Sequence, residues 1–377
     1  MIFASAFIIQ LKNMKKLVAA ISVVFIFIIY FTSANAELGN EHLYRKIEYT
    51  LNVASTSYQG VTEVSSYIPE KVCEYTAHGV ISNENTAESI FHYMKNDAFE
   101  IEKSENAQEY IYNYTAAPYH VRFLPAILQY SIYEGLPMRY DYANAFWVSS
   151  ADNELYTELY VGNNLNVQNI PTINNSEFKE RIREIYKILD IWGVETGNPY
   201  AIVYLNAATL QKNLDQFNHT FPDLSENYIW NEDEAILEIH IPTYLNGVKL
   251  KSNGIPGSPS APNNCATYAV AYTTEKTVLQ LTATECLFDL VSQGKKQPLL
   301  SIDQVLELYE NYLNQFLFLP DSAENIRTIE LEYNVWYKPR AGEFSHEYHL
   351  IPVWSVYTEH DTDLPTVMFD AISGAEL

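Results

Sequence analysis

The strongest constraint on the fold is a strict alternation of side chains near the C-terminus. One set of alternating positions is apolar or aromatic: Ile329, Leu331, Tyr333, Val335 and Tyr337. The positions between them are Glu330, Glu332, Asn334 and Trp336. Because side chains of a strand point alternately to opposite faces, this period of two predicts a strand with one buried face.

Regular elements surround this strand. Ser301-Ile302-Asp303-Gln304 fits a capping box and predicts a helix that runs to Phe316. Tyr348–Tyr357 and Thr366–Ile372 predict two further strands, and a proline in the first of them, Pro352, favours an edge position or a bulge. A helix followed by three strands joined by hairpins predicts a three-stranded antiparallel module with the helix on one face.

The rest of the chain predicts the same class, α+β, with antiparallel sheets that are each covered by helices. The predicted helices are Thr86–Phe99, Glu177–Trp192, with Asn174 as its N-cap and Gly193 after its end, and Ala207–Phe217. The predicted strands are Leu43–Val53, Thr62–Ile68, Glu109–Thr115, Leu155–Val161, Tyr200–Leu205 and Ala235–Ile241. Three prolines prevent a clear assignment in most of 118–160, and Ser252–Asn264 predicts a long loop.

The N-terminus has the three parts of an export signal. Leu17–Phe31 is apolar and uncharged, Lys15 and Lys16 precede it, and Ala34-Asn35-Ala36 follows it. This pattern predicts a signal peptide that is cleaved after Ala36. The alternative is an uncleaved anchor, because the apolar run approaches the roughly 20 residues of a membrane-spanning helix. The predicted organisation is a signal peptide (1–36, starting at Met1 or Met14), an N-terminal α+β region of one or two domains (37–260) and a C-terminal domain (265–377).

The charge of the chain restricts its partners. It has 47 acidic and 23 basic residues, a net charge of −24, and the signal segment contributes lysines but no acid. Nucleic acids and anionic membrane surfaces repel such a chain, so we expect no nucleic-acid partner and no membrane contact except through an uncleaved signal segment. The 30 tyrosines suit packing on sheets, with a tyrosine-lined ligand groove as the alternative.

The three cysteines allow one disulfide. A hairpin is predicted to turn near Glu275-Lys276, and a two-residue turn there places Cys265 opposite Cys286. A three-residue turn would put the two cysteines on opposite faces. Cys73 stays unpaired in either case.

No catalytic, cofactor or metal motif is recognisable in the sequence. In His346-Glu347-Tyr348-His349 the histidines lie three apart on a predicted strand, hence on opposite faces, and not at the helical spacing of a zinc protease. Asp361 and Asp363 alone are too few for calcium. Four further acids form a site only if the fold brings them together: Asp190, Glu195, Asp233 and Glu238.

Four segments carry a family resemblance: LSIDQVLELY from Leu300, IELEY from Ile329, LIPVW from Leu350 and FDAISG from Phe369. In this order they resemble the C-terminal module of exported, lipoprotein-like proteins of clostridia-type bacteria. The module is also similar to YycI/YycH regulators and, more loosely, to PepSY-type domains. The likeness covers 265–377 and is faint before residue 260.

The resemblance implies a non-catalytic extracytoplasmic protein and carries over no catalytic residue. The resemblance implies structural roles for the positions that match it, which are Tyr333, Pro352, Trp354, Asp370 and Gly374. Many of these relatives carry a lipid-anchor cysteine at the cleavage site, whereas the first cysteine here is Cys73.

The expected function is therefore that of an exported, non-enzymatic binding or regulatory protein of the cell envelope. Its expected partner is an envelope protein or a sensor, and its binding residues are not identified by the sequence. The alternatives are an extracytoplasmic peptide or solute binder and a hydrolase whose acids meet only in the fold.

Overall fold

Strands dominate the computed structural model of the chain. The structure describes residues 44–65, 67–94, 100–106, 111–132, 176–199, 201–220, 222, 227–232, 234–251, 268–316, 323–338, 347–359 and 365–377. The strands, in chain order, are β1 Tyr44–Val53, β2 Thr56–Ser65, β3 Lys71–Val72, β4 Tyr75–Gly79, β5 Glu102–Asn106, β6 Ile111–Ala116, β7 Tyr119–Leu124, β8 Ile127–Ile132, β9 Glu195–Thr196, β10 Ala201–Asn206, β11 Ala235–Ile241, β12 Thr243–Leu245, β13 Val248–Leu250, β14 Tyr268–Thr273, β15 Val278–Thr284, β16 Phe288–Gln293, β17 Gln297–Pro298, β18 Ile326–Lys338, β19 Glu347–Thr358 and β20 Val367–Asp370. The described helices are α1 Glu84–Met94, α2 Ser176–Trp192, α3 Ala207–Thr220 and α4 Ile302–Leu313.

The larger sheet is built around the long antiparallel pair β18–β19. Its order is β16-β4-β19-β18-β13-β12-β9. In addition, β2 pairs with β18 and with β1, and β20 pairs with β19. Both β2 and β13 run parallel to β18, so the sheet is mixed. The alternation at Ile329–Tyr337 thus lies in a central strand, with partners on both sides.

The smaller sheet has eight antiparallel strands in the order β10-β11-β14-β15-β8-β7-β6-β5. One of its faces is apolar and packs against α1 and α2 within the main core. Helix α2 presents the stripe that makes this contact, including Phe178, Ile185 and Leu189. Gly193 adopts a φ of 93° directly after it, which is the left-handed conformation that ends helices and that glycine tolerates best.

The two sheets meet closely at Gly79, the last residue of β4. A Cβ added there would lie 2.8 Å from the backbone nitrogen of Ala126, in the turn between β7 and β8. Backbone hydrogen bonds hold the junction: Ala126 donates to Val80 O, and Glu285 donates to Ala126 O. Gly79 is needed because the two backbones leave no room for a side chain.

These observations correct the predicted fold class. An α+β fold with helix-covered antiparallel sheets and a separate three-stranded C-terminal module is wrong, since the described chain is mostly β with one large curled mixed sheet. The C-terminal strands pair with β2, β4 and β13, which come from much earlier in the chain. Local patterns reveal strands but not such long-range pairing, and residues 119–132, left unassigned because of prolines, form a regular hairpin.

Several local predictions are confirmed. Helix α4 begins with the capping box, in which the Ser301 side chain accepts from Gln304 N and the Gln304 side chain accepts from Ser301 N. Trp354 is fully buried in the core, and Gly374 has a φ of 76° in the final turn. Asp370 stabilises that turn by accepting hydrogen bonds from the backbone of Ser373 and Ile372.

Pro352 lies in a central strand without a bulge, contrary to the prediction of an edge or bulge position. On the side away from β18, the β4 pairing ends at Leu350 and the β20 pairing begins at Val353. Pro352 O accepts from Ala371 N on this side, so the proline nitrogen also faces the gap between the two partner strands. The missing N–H therefore costs the sheet no ladder hydrogen bond.

The predicted signal peptide, the strand at 155–161, the long loop at 252–264 and the boundary between the two predicted domains lie outside the described residues. Strands from both sides of that boundary contribute to both sheets. None of the described helices combines the length and the apolarity that a membrane span requires.

Candidate functional site

The first candidate is a cluster of buried charges on β13 and β18. The Nζ of Lys249 lies 2.6 Å from Glu330 Oε2 and 3.2 Å from Glu332 Oε1. The Nζ of Lys251 lies 4.0 Å from Glu332 Oε2 and 3.3 Å from the hydroxyl of Tyr357, which donates to Glu332 Oε2 at 3.0 Å. We call these five residues the lysine–glutamate cluster.

The parallel pairing of β13 with β18 positions this cluster. Lys249 pairs with Glu332, and the period of two puts Lys249, Lys251, Glu330 and Glu332 on one face. Glu332 is 1% exposed, whereas the Lys249 side chain keeps 29% of its surface in solvent. The face that was predicted to be the polar, unburied side of this strand is therefore buried, and that prediction is wrong.

The two carboxyl groups respond differently to burial. For Glu330, desolvation raises the pKa against the opposing effect of Lys249, and the neighbouring carboxylate of Glu332 raises it further. Desolvation also raises the pKa of Glu332, but the charges of Lys249 and Lys251 outweigh this effect and lower the pKa to about 2. Glu332 is thus ionised at neutral pH and is a weak base, and Lys249 and Tyr357 already contact its oxygens.

The chemistry of the lysine–glutamate cluster is that of a structural charge network. Opposite charges compensate one another, and its hydrogen bonds tie β13 to β18 in one register. A hydrolytic site needs a carboxyl group that exchanges a proton near neutral pH and can reach a substrate. Glu332 has a lowered pKa and does not meet the first condition. Glu330 has a raised pKa, but it is 4% exposed and lies 2.6 Å from Lys249 Nζ, so it does not meet the second.

The second candidate is a set of polar side chains on the smaller sheet, on the face opposite to α1 and α2. Four adjacent strands, β6, β7, β8 and β15, place directly paired residues in two rows. One row is Thr115, His120, Ser131 and Gln280, and the other is Asn113, Arg122, Gln129 and Thr282. We call these residues the polar grid.

The polar grid is a hydrogen-bonding surface with little charge. Its side chains are half-buried, except for Arg122, which is exposed. Burial lowers the pKa of His120, and Thr115 Oγ1 lies 3.2 Å from its Nδ1, so the imidazole is neutral at neutral pH. Arg122 therefore supplies the charge of the grid.

Arg122 makes no ion pair within the part of the chain that the structure describes. This is unusual in a protein with about twice as many acids as bases. A guanidinium group offers five N–H donors in a planar fork that matches a carboxylate or a phosphate. The polar grid thus presents one anion-binding group among neutral donors and acceptors.

A small hydrophobic cluster borders the grid. Leu210 and Leu214 of α3 pack with Trp230, Ile236 and Tyr272 over the β11–β14 end of the same sheet. Beside it, Glu238 and His240 form a buried pair, with Glu238 Oε1 2.7 Å from His240 Nε2. The grid occupies the β6–β15 part of the same face.

The acids named from the sequence that the structure describes have separate partners. Asp190 pairs with Lys187, Glu195 accepts from the backbone of Gly247, and Glu238 pairs with His240. Asp233, Asp361 and Asp363 lie outside the described residues. The hydrolase alternative thus gains no carboxylate pair from Asp190, Glu195 and Glu238.

The histidine motif forms no metal site among the described residues. His349 Nε2 lies 3.0 Å from Glu347 Oε1, and His346 lies outside the described residues. No group of three or more His, Cys, Asp or Glu side chains in the described ranges is placed to hold a metal ion.

Cys73 and Cys286 are buried thiols, and Cys265 lies outside the described residues, so its pairing with Cys286 stays a prediction.

The hairpin register differs from the predicted one. Thr274 N bonds to Thr277 O at the turn as predicted, but a shift between Tyr272 and Thr273 then pairs Tyr268 with Thr284. The simple register used to place Cys265 opposite Cys286 is therefore not kept along the strands.

Sequence reasoning missed both candidate clusters, although each left a signal. Lys249 and Lys251 alternate with apolar residues, as Glu330 and Glu332 do. Two strands with this spacing of opposite charges can pair so that the charges compensate each other. The segment around Arg122, from Tyr119 to Leu124, also alternates and predicts a strand once the flanking prolines are treated as turn residues.

Comparisons with known proteins bear on the fold. No family model matches the chain, and a search of curated proteins also finds no match. Among solved structures, the chain is similar to an uncharacterized protein from Eubacterium rectale ATCC 33656. The TM-score is 0.52 at 12% sequence identity, over 92% of this chain and 98% of that one. At this identity the likeness establishes a shared fold.

Proposed function

We propose that this chain is an exported, non-enzymatic binding protein that engages an envelope component through the polar grid. The observation that carries the proposal is Arg122, an exposed guanidinium without an ion pair among the described residues, set between neutral hydrogen-bonding side chains. The ligand group that fits it is an anion, such as a carboxylate or phosphate on a polar partner.

The arrangement of charges supports binding over catalysis. In the lysine–glutamate cluster, the ionised Glu332 is held by Lys249, Lys251 and Tyr357. The polar grid consists of hydroxyl, amide and imidazole groups with one guanidinium, and its members include no carboxylate to orient His120 as a base. Such a surface suits recognition through several hydrogen bonds and one charge pair.

Export is supported by the N-terminal sequence, with its lysines, apolar run and Ala34-Asn35-Ala36. We expect the mature protein to begin at Glu37 and to occur in the extracytoplasmic fraction. N-terminal sequencing of protein from its native host measures this. Full-length protein in the cytoplasm, with residues 1–36 intact, would contradict it.

Binding is tested by quantitative capture from a solubilised envelope fraction. The bait proteins are wild type, Arg122→Glu and Arg183→Glu. Arg183 is an exposed arginine on α2, away from the grid, so it controls for the change in net charge. We expect Arg122→Glu to lose the captured component and Arg183→Glu to retain it. Equal capture by all three proteins would refute the grid as the binding surface.

A further inference from the structure

The outer edge of β16 is an exposed strand edge. β16 is the terminal strand of the larger sheet and pairs with β4. Leu290 is 39% exposed and Val291 is 57% exposed. An edge with free backbone groups and exposed aliphatic side chains is a template for another strand.

The hydrogen bonds of β16 show which backbone groups are available. Leu287 O accepts from Val80 N, so the backbone groups of Leu287, and of Asp289 two residues later, point towards β4. Those of Phe288 and Leu290 therefore point away from β4. They have no hydrogen-bond partner among the described residues.

Three other described edges are protected in recognisable ways. β5 is fully exposed but carries charges, and Lys103 pairs with Glu105 across 3.3 Å. The end of β1 is covered by α4, since Glu310 accepts from Asn52 N. The outer edge of β20 is bonded to the C-terminal residues, as in the bond from Leu377 N to Met368 O. β16 has Asp289 and a register shift between Leu290 and Ser292, which leaves the regular part of the edge at Phe288 and Leu290.

Charge near the edge favours one kind of partner. Lys295 and Lys296 follow β16, are exposed, and make no ion pair with any described residue. In a chain with 47 acidic residues, two adjacent lysines that pair with no described acid leave positive charge for an incoming segment. An antiparallel segment would place its first residues beside them.

We propose that the outer edge of β16 binds an extended segment of a partner protein by strand addition, with acidic residues at the start of that segment beside Lys295 and Lys296. Backbone groups of Phe288 and Leu290 would supply the ladder hydrogen bonds. Leu290 and Val291 would supply apolar contact. This surface is separate from the polar grid, so it does not depend on the function proposed for the grid.

The test uses two labelled peptides, acetyl-Asp-Asp-Val-Thr-Val-Thr-Val-amide and acetyl-Lys-Lys-Val-Thr-Val-Thr-Val-amide, and measures fluorescence anisotropy with the mature chain. We expect the acidic peptide to bind at least ~10-fold more tightly than the basic one. Equal binding of the two peptides, or no binding of the acidic peptide at about 1 mM protein, overturns the proposal.

Two variants locate the interaction. Leu290→Pro removes an outward N–H but no bond to β4, so the sheet should tolerate it. We expect it to weaken binding of the acidic peptide ~10-fold. The double variant Lys295→Glu, Lys296→Glu should weaken it ~10-fold, whereas Lys179→Glu, Lys212→Glu, with the same change in charge elsewhere, should not. Unchanged binding by Leu290→Pro would overturn strand addition.

Hydrogen exchange of the wild-type chain gives a readout that does not depend on how a variant folds. The Leu290 amide should exchange at least ~10-fold more slowly when the acidic peptide is bound, because it becomes part of a ladder. An unchanged exchange rate at Leu290, with peptide bound, would show that the peptide binds elsewhere.

Discussion

Glu330 and Glu332 lie two residues apart on the same face of β18, and their carboxyl groups have pKa values shifted in opposite directions. The difference arises from their neighbours. Lys249 contacts both, and Glu332 is in addition 4.0 Å from Lys251 Nζ and accepts a hydrogen bond from Tyr357. One strand thus holds a carboxyl group whose ionised form is disfavoured by burial and a second one that its neighbours stabilise as an anion.

Replacing each glutamate by glutamine should have unequal effects on stability. Glu332→Gln removes a buried carboxylate that lies 3.2 Å from Lys249 Nζ and 4.0 Å from Lys251 Nζ, and we expect it to lower the free energy of unfolding by ~3–5 kcal/mol. Glu330→Gln resembles the protonated acid that burial favours, and we expect a loss of about 1 kcal/mol. Urea denaturation of the two variants measures the difference, and equal losses would contradict the assignment of charges.

The stability of the protein should fall in acid partly because of Glu332. Its pKa is lowered from 4.5 to about 2, so its contribution is present above the unfolded-state pKa and is lost as the pH falls towards 2. Glu330 has a raised pKa, so its contribution is present below 4.5 and is lost as the pH rises through its folded-state value.

We therefore expect the free energy of unfolding to decrease less steeply between pH 4.5 and 2 in Glu332→Gln than in wild type. Urea denaturation at several pH values in this window measures the slope. Wild type and Glu332→Gln share all other acidic residues, so the difference between their slopes reports on Glu332. Parallel pH profiles would show that Glu332 has an ordinary pKa in the folded state.

The junction of the two sheets should not tolerate a side chain at Gly79. In Gly79→Ala, the new Cβ would lie 2.8 Å from Ala126 N and 2.9 Å from Pro125 C, both of them backbone atoms. We expect a loss of ~2–4 kcal/mol in the free energy of unfolding, because the turn must move. Gly294→Ala is the matched control, since its nearest contact is 3.3 Å, and it should cost about 1 kcal/mol or less. Similar losses would show that the junction is adaptable.

The predicted disulfide between Cys265 and Cys286 is testable by intact mass. We expect the exported protein to gain two hydrogens on reduction, with Cys73 remaining a thiol throughout. Burial and the nearby Glu285 raise the pKa of the Cys286 thiol, so the native protein should react slowly with thiol reagents at this position even if it is reduced. An unchanged mass on reduction would eliminate the disulfide.

The sequence by itself determined the elements whose signals are local. The capping box of α4, the end of α2 at Gly193, the hairpin turn at Thr274 and the strand at Ile329–Tyr337 all depend on residues within a few positions of one another. Hydrogen bonds and side-chain alternation within such short segments are encoded in residue order.

Only the tertiary structure decided which strands pair and which faces are buried. A period of two shows that the faces of β18 differ, but Glu330 and Glu332 are buried because β13 brings Lys249 and Lys251 alongside them. Arg122 likewise belongs to the polar grid because β7 pairs between β6 and β8. Such contacts join residues that are distant in sequence, and their energies depend on burial and on neighbouring charges that no local pattern contains.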